Sequence, residues 1–331
     1  MLKRAVDYRL ASSVIVYKIA IGTVLIRLVL SQVDPNQGIN SALHSPTPAA
    51  MFSIIIPSWN NLPFLQLCIK SIRKHSQLHN QIVIHINDGS DGSLAWVRDE
   101  GIRHTQSEGN IGICQGTNLA AALAEEEYIV YMNDDMYCCP GWDTALAAHI
   151  RALDSNLFML SGTMIEPSDT GNACVVHRDF GNDIDTFNEE ALLATCPSLA
   201  REDWRGASWP PTVVHRDWWH KLGGYSSEFS PGMSSDTDLS MKMWQAGCRA
   251  FIGVGDSLIY HFQQKSTTRI KKNDGKGQFL QKWGVSQKAF NQFYLRRGTQ
   301  CPANARQVDE PVADFALTRA KWLSRFKRAL A

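Results

Sequence analysis

Met51-Phe52-Ser53-Ile54-Ile55-Ile56-Pro57-Ser58-Trp59-Asn60-Asn61 is the stretch on which the reading of this chain turns. Phe52 to Ile56 is a buried-strand run, and Asn61 can cap a following helix whose Leu65, Cys68, Ile69 and Ile72 fall on one face. A second strand, Ile82 to Ile86, ends in the turn Asn87-Asp88-Gly89-Ser90. A short strand near Ile102 leads into Ser107-Glu108-Gly109-Asn110-Ile111-Gly112, and Thr117 to Glu125 reads as helix. Tyr128 to Met132 is a further strand, ending in Asn133-Asp134-Asp135. This alternation predicts a doubly wound α/β sheet, which binds ligands outside the carboxyl ends of its strands.

Four successive strands finishing in polar turns form a rim suited to a nucleotide. Asp88 can accept a hydrogen bond from a base or ribose, and the backbone near Asn110 to Gly112 can approach closely. Each turn also has a local explanation: Asp88 as an Asx turn and Gly112 as a residue of positive φ. No G-x-G-x-x-G follows the first strand and no G-x-x-x-x-G-K-[ST] occurs in the sequence, which disfavours a dinucleotide or P-loop site.

Composition narrows the class. The 331 residues carry 33 Lys plus Arg against 32 Asp plus Glu, and 44% are hydrophobic, as in ordinary globular proteins. A net charge of +1 argues against a general electrostatic footprint for nucleic acid. The eight cysteines include no C-x-x-C pair and read as buried, reduced thiols of a cytoplasmic protein; the vicinal Cys138 and Cys139 have no zinc-ligand spacing. Ser13 to Leu30 is apolar after Lys3, Arg4 and Arg9, but Lys18 and Arg27 leave only Ile19 to Ile26 uncharged, far short of the roughly 20 residues of a spanning helix. Asp34 to Ala50 is a linker rich in Pro, Ser and Asn. Residues 1–50 are therefore expected to be an extension outside the fold or a membrane-surface helix, with the α/β fold over 51–298 and an amphipathic tail over 299–331.

Ser53 to Asn61, Asn87-Asp88-Gly89-Ser90, Asn110-Ile111-Gly112, Met132-Asn133-Asp134-Asp135 with Pro140-Gly141-Trp142, and Gly223-Gly224-Tyr225 leading to Ser235-Asp236-Thr237-Asp238-Leu239 occur in one order. Together they resemble the inverting family 2 glycosyltransferases of the GT-A fold, a Rossmann-like, doubly wound mixed sheet. The resemblance covers about Met51 to Phe262. It implies a nucleotide-sugar donor, UDP- or dTDP-linked, and a divalent cation, Mn²⁺ or Mg²⁺, held by a D-x-D motif. It puts Pro57, Trp59 and Asn60 around the nucleoside, Asp88 on the base, and Asn110 and Gly112 at the nucleoside and diphosphate. The D-x-D slot reads Asn133-Asp134-Asp135, which makes Asp135 the metal ligand and leaves Asp134 beside it on the donor. His261, at the end of the strand Ser257 to Tyr260, takes the third-ligand position, against its reading as a hydrogen-bonded structural residue.

Ser234 to Gly247 reads as a helix capped by Ser234 or Ser235, with Asp236 and Asp238 in its first turn. Two acids at a helix start need no catalytic explanation; the resemblance makes Asp236 the base that deprotonates the acceptor, with Asp238 supporting acceptor or loop geometry. Gln263 to Lys272 is either a solvated loop or a lid whose Lys265 or Arg269 reaches phosphate oxygens. Gln281-Lys282-Trp283 departs from the Q-x-x-R-W motif of processive synthases, so a single addition is expected. Trp204, Trp209 and His177 fall where an acceptor would dock, and the acceptor is left open among glycan, lipid-linked and protein. The tail Asp314 to Ala331 reads either as a basic amphipathic helix in peripheral contact with a membrane or as a helix docked on its own domain. Two other classes are a catalytically silent sugar-nucleotide-binding or scaffold protein and a nucleotidyltransferase. The first must explain why Asp135, Asp236 and His261 are all present, and the second lacks a Gly-rich, cationic loop after the first strand.

Overall fold

The computed structural model describes residues 14–21, 24–31, 51–264 and 271–330. The chain divides into two units, Met1–Thr47 and Pro48–Ala331. In the first, β1 (Val14–Ile21) and β2 (Val24–Ser31) form an antiparallel hairpin with Val14 opposite Ser31 and Ile21 opposite Val24. The described backbone is thus a hairpin and not the surface helix expected as one alternative. The many β-branched residues of these two runs favour extended backbone.

The second unit begins with β3 (Phe52–Trp59), α1 (Leu62–His75), β4 (Gln81–Asn87), α2 (Ser93–Asp99), β5 (Arg103–Ser107), α3 (Gly112–Ala121) and β6 (Tyr128–Tyr131). It continues through β7 (Met136–Cys138), α4 (Trp142–Arg151), β8 (Phe158–Glu166), β9 (Val176–His177), α5 (Glu189–Thr195), β10 (Trp204–Arg205) and β11 (Thr212–His215). The last elements are α6 (Arg216–Lys221), α7 (Ser235–Gln245), β12 (Ala250–His261), α8 (Gly275–Trp283), the short α9 (Gln287–Ala289) and α10 (Phe315–Leu330).

One mixed sheet runs β10-β12-β8-β11-β6-β3-β4-β5. β3 is parallel to β4 and β6, and β8 to β12, whereas β11 is antiparallel to both β6 and β8. Alternate residues of the isoleucine run enter opposite layers: Ile54 and Ile56 pack with Leu65, Ile69, Ile84 and Val130, while Ile55 packs with Val83, Ile129 and Tyr131. Period-2 alternation with helices on both faces explains why the run contains no polar break. The mixed, doubly wound α/β architecture expected from sequence is the one observed.

Local boundaries differ in instructive ways. Asn61 precedes α1 without a side-chain cap; Asp91 Oδ2 accepts the Leu62 N–H at 2.8 Å instead. α3 begins at Gly112, five residues ahead of the expected Thr117, and ends at Ala121. α7 starts at Ser235 with no side-chain cap, since Ser234 Oγ donates to Gln287 and Ser235 Oγ to the Gly232 carbonyl. All eight cysteines are buried and free.

We propose that the catalytic fold begins at Met51. A chain starting there is expected to unfold cooperatively and to bind donor as the full chain does; loss of the thermal transition, or of donor binding, would overturn that boundary.

Candidate active site

The carboxyl ends of β3, β4 and β6 open on a cavity of about 250 Å³. Its lining includes Pro57, Trp59, Asn110, Gly112, Asp134 and Asp135, and His261 closes it from the end of β12. Asn60 and Asp88 stand one residue beyond the lining Trp59 and Asn87, bonded to each other: Asn60 Nδ2 donates to Asp88 Oδ2 at 2.9 Å, and Asn60 Oδ1 accepts from Gly89 N at 3.0 Å. Both have positive φ, 44° and 65°, a region that Asn and Asp tolerate better than other side chains. Asp88 Oδ1 also accepts from Ser90 N at 3.3 Å, which is the Asx turn anticipated as its local explanation.

Gly112 is required by close approach. A Cβ there would lie 2.6 Å from Ser230 Oγ and 2.9 Å from Pro231 Cα, and its φ is +81°. Ile113 N donates to the Pro231 carbonyl at 2.8 Å, so the loop before α7 is pinned over the start of α3 and brings Pro231 and Met233 to the cavity wall. Asn87 Oδ1 accepts from Ile111 N at 2.9 Å and fixes the same turn from the sheet side.

Asp134 accepts a hydrogen bond from Ser58 Oγ at 2.7 Å. Asp135 is buried, and its Oδ2 accepts from Gln264 N at 2.8 Å and lies 3.5 Å from His261 Nε2. On the far side of the ring, His261 Nδ1 is 2.8 Å from Glu166 Oε1, while Gln263 Nε2 donates to Glu166 Oε2 at 2.8 Å. Burial opposes a charge on His261, but Asp135 and Glu166 together outweigh it and push its pKa up to about 10. Glu166, at the carboxyl end of β8, was not singled out by the sequence; its partner is 95 residues away, and only its position at a strand end could have marked it.

This set suits a divalent cation. A carboxylate holding Nδ1–H orients the ring with Nε2 toward Asp135, as metal-ligating histidines commonly require; a cation bound between them would take the place of the Nε2 proton that the two carboxylates otherwise retain. Among the described residues no three His, Cys, Asp or Glu side chains are grouped to hold an ion alone. Asp135 and His261 would therefore supply two donors, leaving the others to donor oxygens and water, the usual arrangement for Mg²⁺ at phosphates.

A second cleft of about 530 Å³ adjoins the first, sharing Ile113, Asn133 and Met233 with it, and is also lined by Tyr131, Tyr225 and Asp236. Asp236 Oδ1 accepts from Thr237 N at 2.7 Å, and its other oxygen takes no hydrogen bond among the described residues. Burial raises its pKa above the ordinary aspartate value, with the Thr237 N–H and the Arg297 charge pulling the other way. Asp238, two residues on, is fully buried and fully engaged: Ser226 Oγ donates to it at 2.6 Å and Trp283 Nε1 at 2.8 Å, and Lys282 Nζ lies 2.9 Å away. The Lys282-Trp283 pair thus serves as the anchor of Asp238.

Residues 53–177 match the protein-family model described as glycosyl transferase family 2. Over those 125 of its 331 residues the chain is similar to glycosyl transferase family 2. Its sheet and helix order are those of the GT-A fold. Among solved structures, S. aureus TarS 1–349 is similar at 16% identity and a TM-score of 0.45, covering 65% of this chain and 58% of that one. TarS 1–349 in complex with UDP-GlcNAc is similar at 14% identity and a TM-score of 0.48, covering 73% of this chain and 67% of that one. This chain thus spans under three fifths of the first of these structures. No curated protein sequence matches it.

Within the matched residues, the cavity brings together Pro57, Trp59, Asn110, Gly112, Asp134 and Asp135; beyond them His261 lines the same cavity and Asp236 the adjoining cleft. Lys265 and Arg269 lie outside the described residues. Trp204 and Trp209 do not offer a sugar platform: both are buried and stack on each other at 4.9 Å between ring centroids. Among the described residues no helix is long and apolar enough to cross a membrane.

Proposed function

We propose that this chain transfers one sugar from a nucleotide-sugar, UDP- or dTDP-linked, to an acceptor hydroxyl with inversion and with the help of a divalent cation. The observation that carries the proposal is the junction of two clefts at Ile113, Asn133 and Met233, one with the Asp135–His261 pair and the other with Asp236. The first is read as the donor site and the second as the acceptor site.

Pro57 and Trp59 would hold the nucleoside against the ends of β3 and β4, with Asn60 and Asp88 forming the adjoining turn that reads the base. The turn from Asn110 to Gly112, fixed by Asn87 and by the loop before α7, would bring backbone N–H groups toward the diphosphate. Asp135 and His261 would hold the Mn²⁺ or Mg²⁺, which when bound offsets the negative charge developing on the leaving diphosphate. Asp236 Oδ2 would take the acceptor proton as that hydroxyl oxygen bonds to the anomeric carbon and the bond from this carbon to the diphosphate breaks. A base raised in pKa by burial removes that proton more readily than an ordinary aspartate, provided it is ionised. Attack from the face opposite the leaving group gives inversion.

The direct test is thermal unfolding against a panel of nucleotide-sugars with and without Mn²⁺. A donor at about 100 times its dissociation constant adds about 2.7 kcal/mol, which for a domain of this size is a rise on the order of 5 °C. The rise is expected for one or a few UDP- or dTDP-sugars and to require the cation. No shift with any of them would remove the donor assignment.

A further inference from the structure

α10 is held to the body along one side and bare along the other. Leu317 and Ser324 are each 1% exposed, and Ser324 Oγ accepts from Ser286 N at 3.1 Å beside α9. A helix turns about 100° per residue, so Phe315, Trp322 and Phe326 share one stripe roughly opposite Leu317 and Ser324. They are 82%, 61% and 54% exposed, and the Trp322 and Phe326 rings stack at 5.9 Å. Arg319 and Arg325 flank the stripe. Phe315–Leu330 holds five Lys or Arg residues and no Asp or Glu.

We propose that this face of α10 docks on an anionic lipid surface, the aromatic rings at the headgroup–acyl boundary and Arg319 and Arg325 on lipid phosphates. Three exposed aromatics on one helix offer a few hundred Å², short of the roughly 800 Å² per partner of a stable protein interface. That is enough for a helix lying in the plane of a membrane, where apolar insertion and attraction to anionic headgroups add. A second copy docked on this face would bring its own Arg319 and Arg325 against those of the first, with no acid on the helix to offset them. The opposite side of the helix is already fixed by Leu317 and Ser324, so docking needs no rearrangement of the body.

The test is co-sedimentation of the full chain with vesicles of phosphatidylcholine alone and of phosphatidylcholine with 30% phosphatidylglycerol. Binding is expected to the anionic vesicles, to weaken with added salt, and to fall at least tenfold in Trp322→Ser/Phe326→Ser. Arg319→Gln/Arg325→Gln should cost about 25-fold, near fivefold for each cation removed from the surface. Both pairs are exposed, so thermal unfolding should match the wild type and separate lost docking from lost folding. Equal binding to neutral vesicles, or anionic binding unchanged in either double variant, would overturn the proposal. So would a dimer in solution abolished by Trp322→Ser/Phe326→Ser. Nucleotide-sugar binding is measured apart from these outcomes and does not depend on them.

Discussion

Asp236→Asn is expected to lower the transfer rate by about 10² to 10⁴, the usual range of a general-base contribution, with the donor dissociation constant almost unchanged. The substitution keeps the size of the side chain, and an Asn Oδ1 can still accept from Thr237 N, so α7 should start as before. What is lost is the oxygen facing the second cleft as a proton acceptor. The pH profile gives an independent reading. Transfer needs the carboxylate, so it is present above the Asp236 pKa and lost as pH falls through it. Because burial raises that pKa, the acid limb should lie above the ordinary aspartate range and vanish from the residual rate of Asp236→Asn.

Asp238→Asn should behave differently. Asp238 is buried against Ser226, Trp283 and Lys282, with Lys242 Nζ 3.8 Å away, and removing its charge leaves Lys242 without its carboxylate and Lys282 with Glu228 alone. Destabilisation of about 3 kcal/mol is expected, seen in thermal unfolding, so any fall in rate should track lost folding. A near-wild-type rate in folded Asp236→Asn would remove Asp236 as the base and return both acids to the role of ordinary helix-start residues.

The fold was legible where the sequence could specify both sides of an element. Ile54, Ile55 and Ile56 are explicable only if both sheet faces are covered, and the polar turns after β3, β4 and β6 fall at the carboxyl ends that line the cavity. The strand read as Ser257 to Tyr260 in fact runs Ala250–His261, because its first half pairs with β8 and β10. The antiparallel entry of β11 between β6 and β8 is likewise a property of pairing and not of its own residues.

At the site the same division holds. Asp135, His261 and Asp236 could be nominated from sequence because each falls at a motif position of the family the chain resembles; their places at strand ends and a helix start alone would have left them structural. Glu166 could not, since its meaning comes from the His261 ring it orients. Nor could the reason for Gly112, which lies in the Ser230 hydroxyl and the Pro231 backbone packed where a Cβ would be. Asp91 capping α1 in place of Asn61 is a third case: the N–H that needed a partner found one from the next loop in space and not from its own neighbour.

The second large effect concerns Asp135. Asp135→Ala should abolish cation-dependent donor binding, and excess chelator should do the same to the wild type. Two controls keep the result interpretable. Asp135 also accepts the Gln264 N–H, so its loss could loosen the chain after β12. Asp135→Asn retains an acceptor for that N–H while removing the charge, and should still lose most cation affinity, since a neutral amide is a poorer ligand than a carboxylate. Glu166→Gln then tests the histidine without touching a ligand. If Glu166 sets the tautomer of His261, cation affinity should fall by about 10- to 100-fold, whereas a purely structural Glu166 would change unfolding and leave the cation titration alone. His261→Ala should weaken the site less than Asp135→Ala if water can take the place of the ring. Full transfer activity in excess chelator would sink the cation requirement altogether, and the Asp135–His261–Glu166 array would then be a charge network holding the end of β12 against β7 and β8.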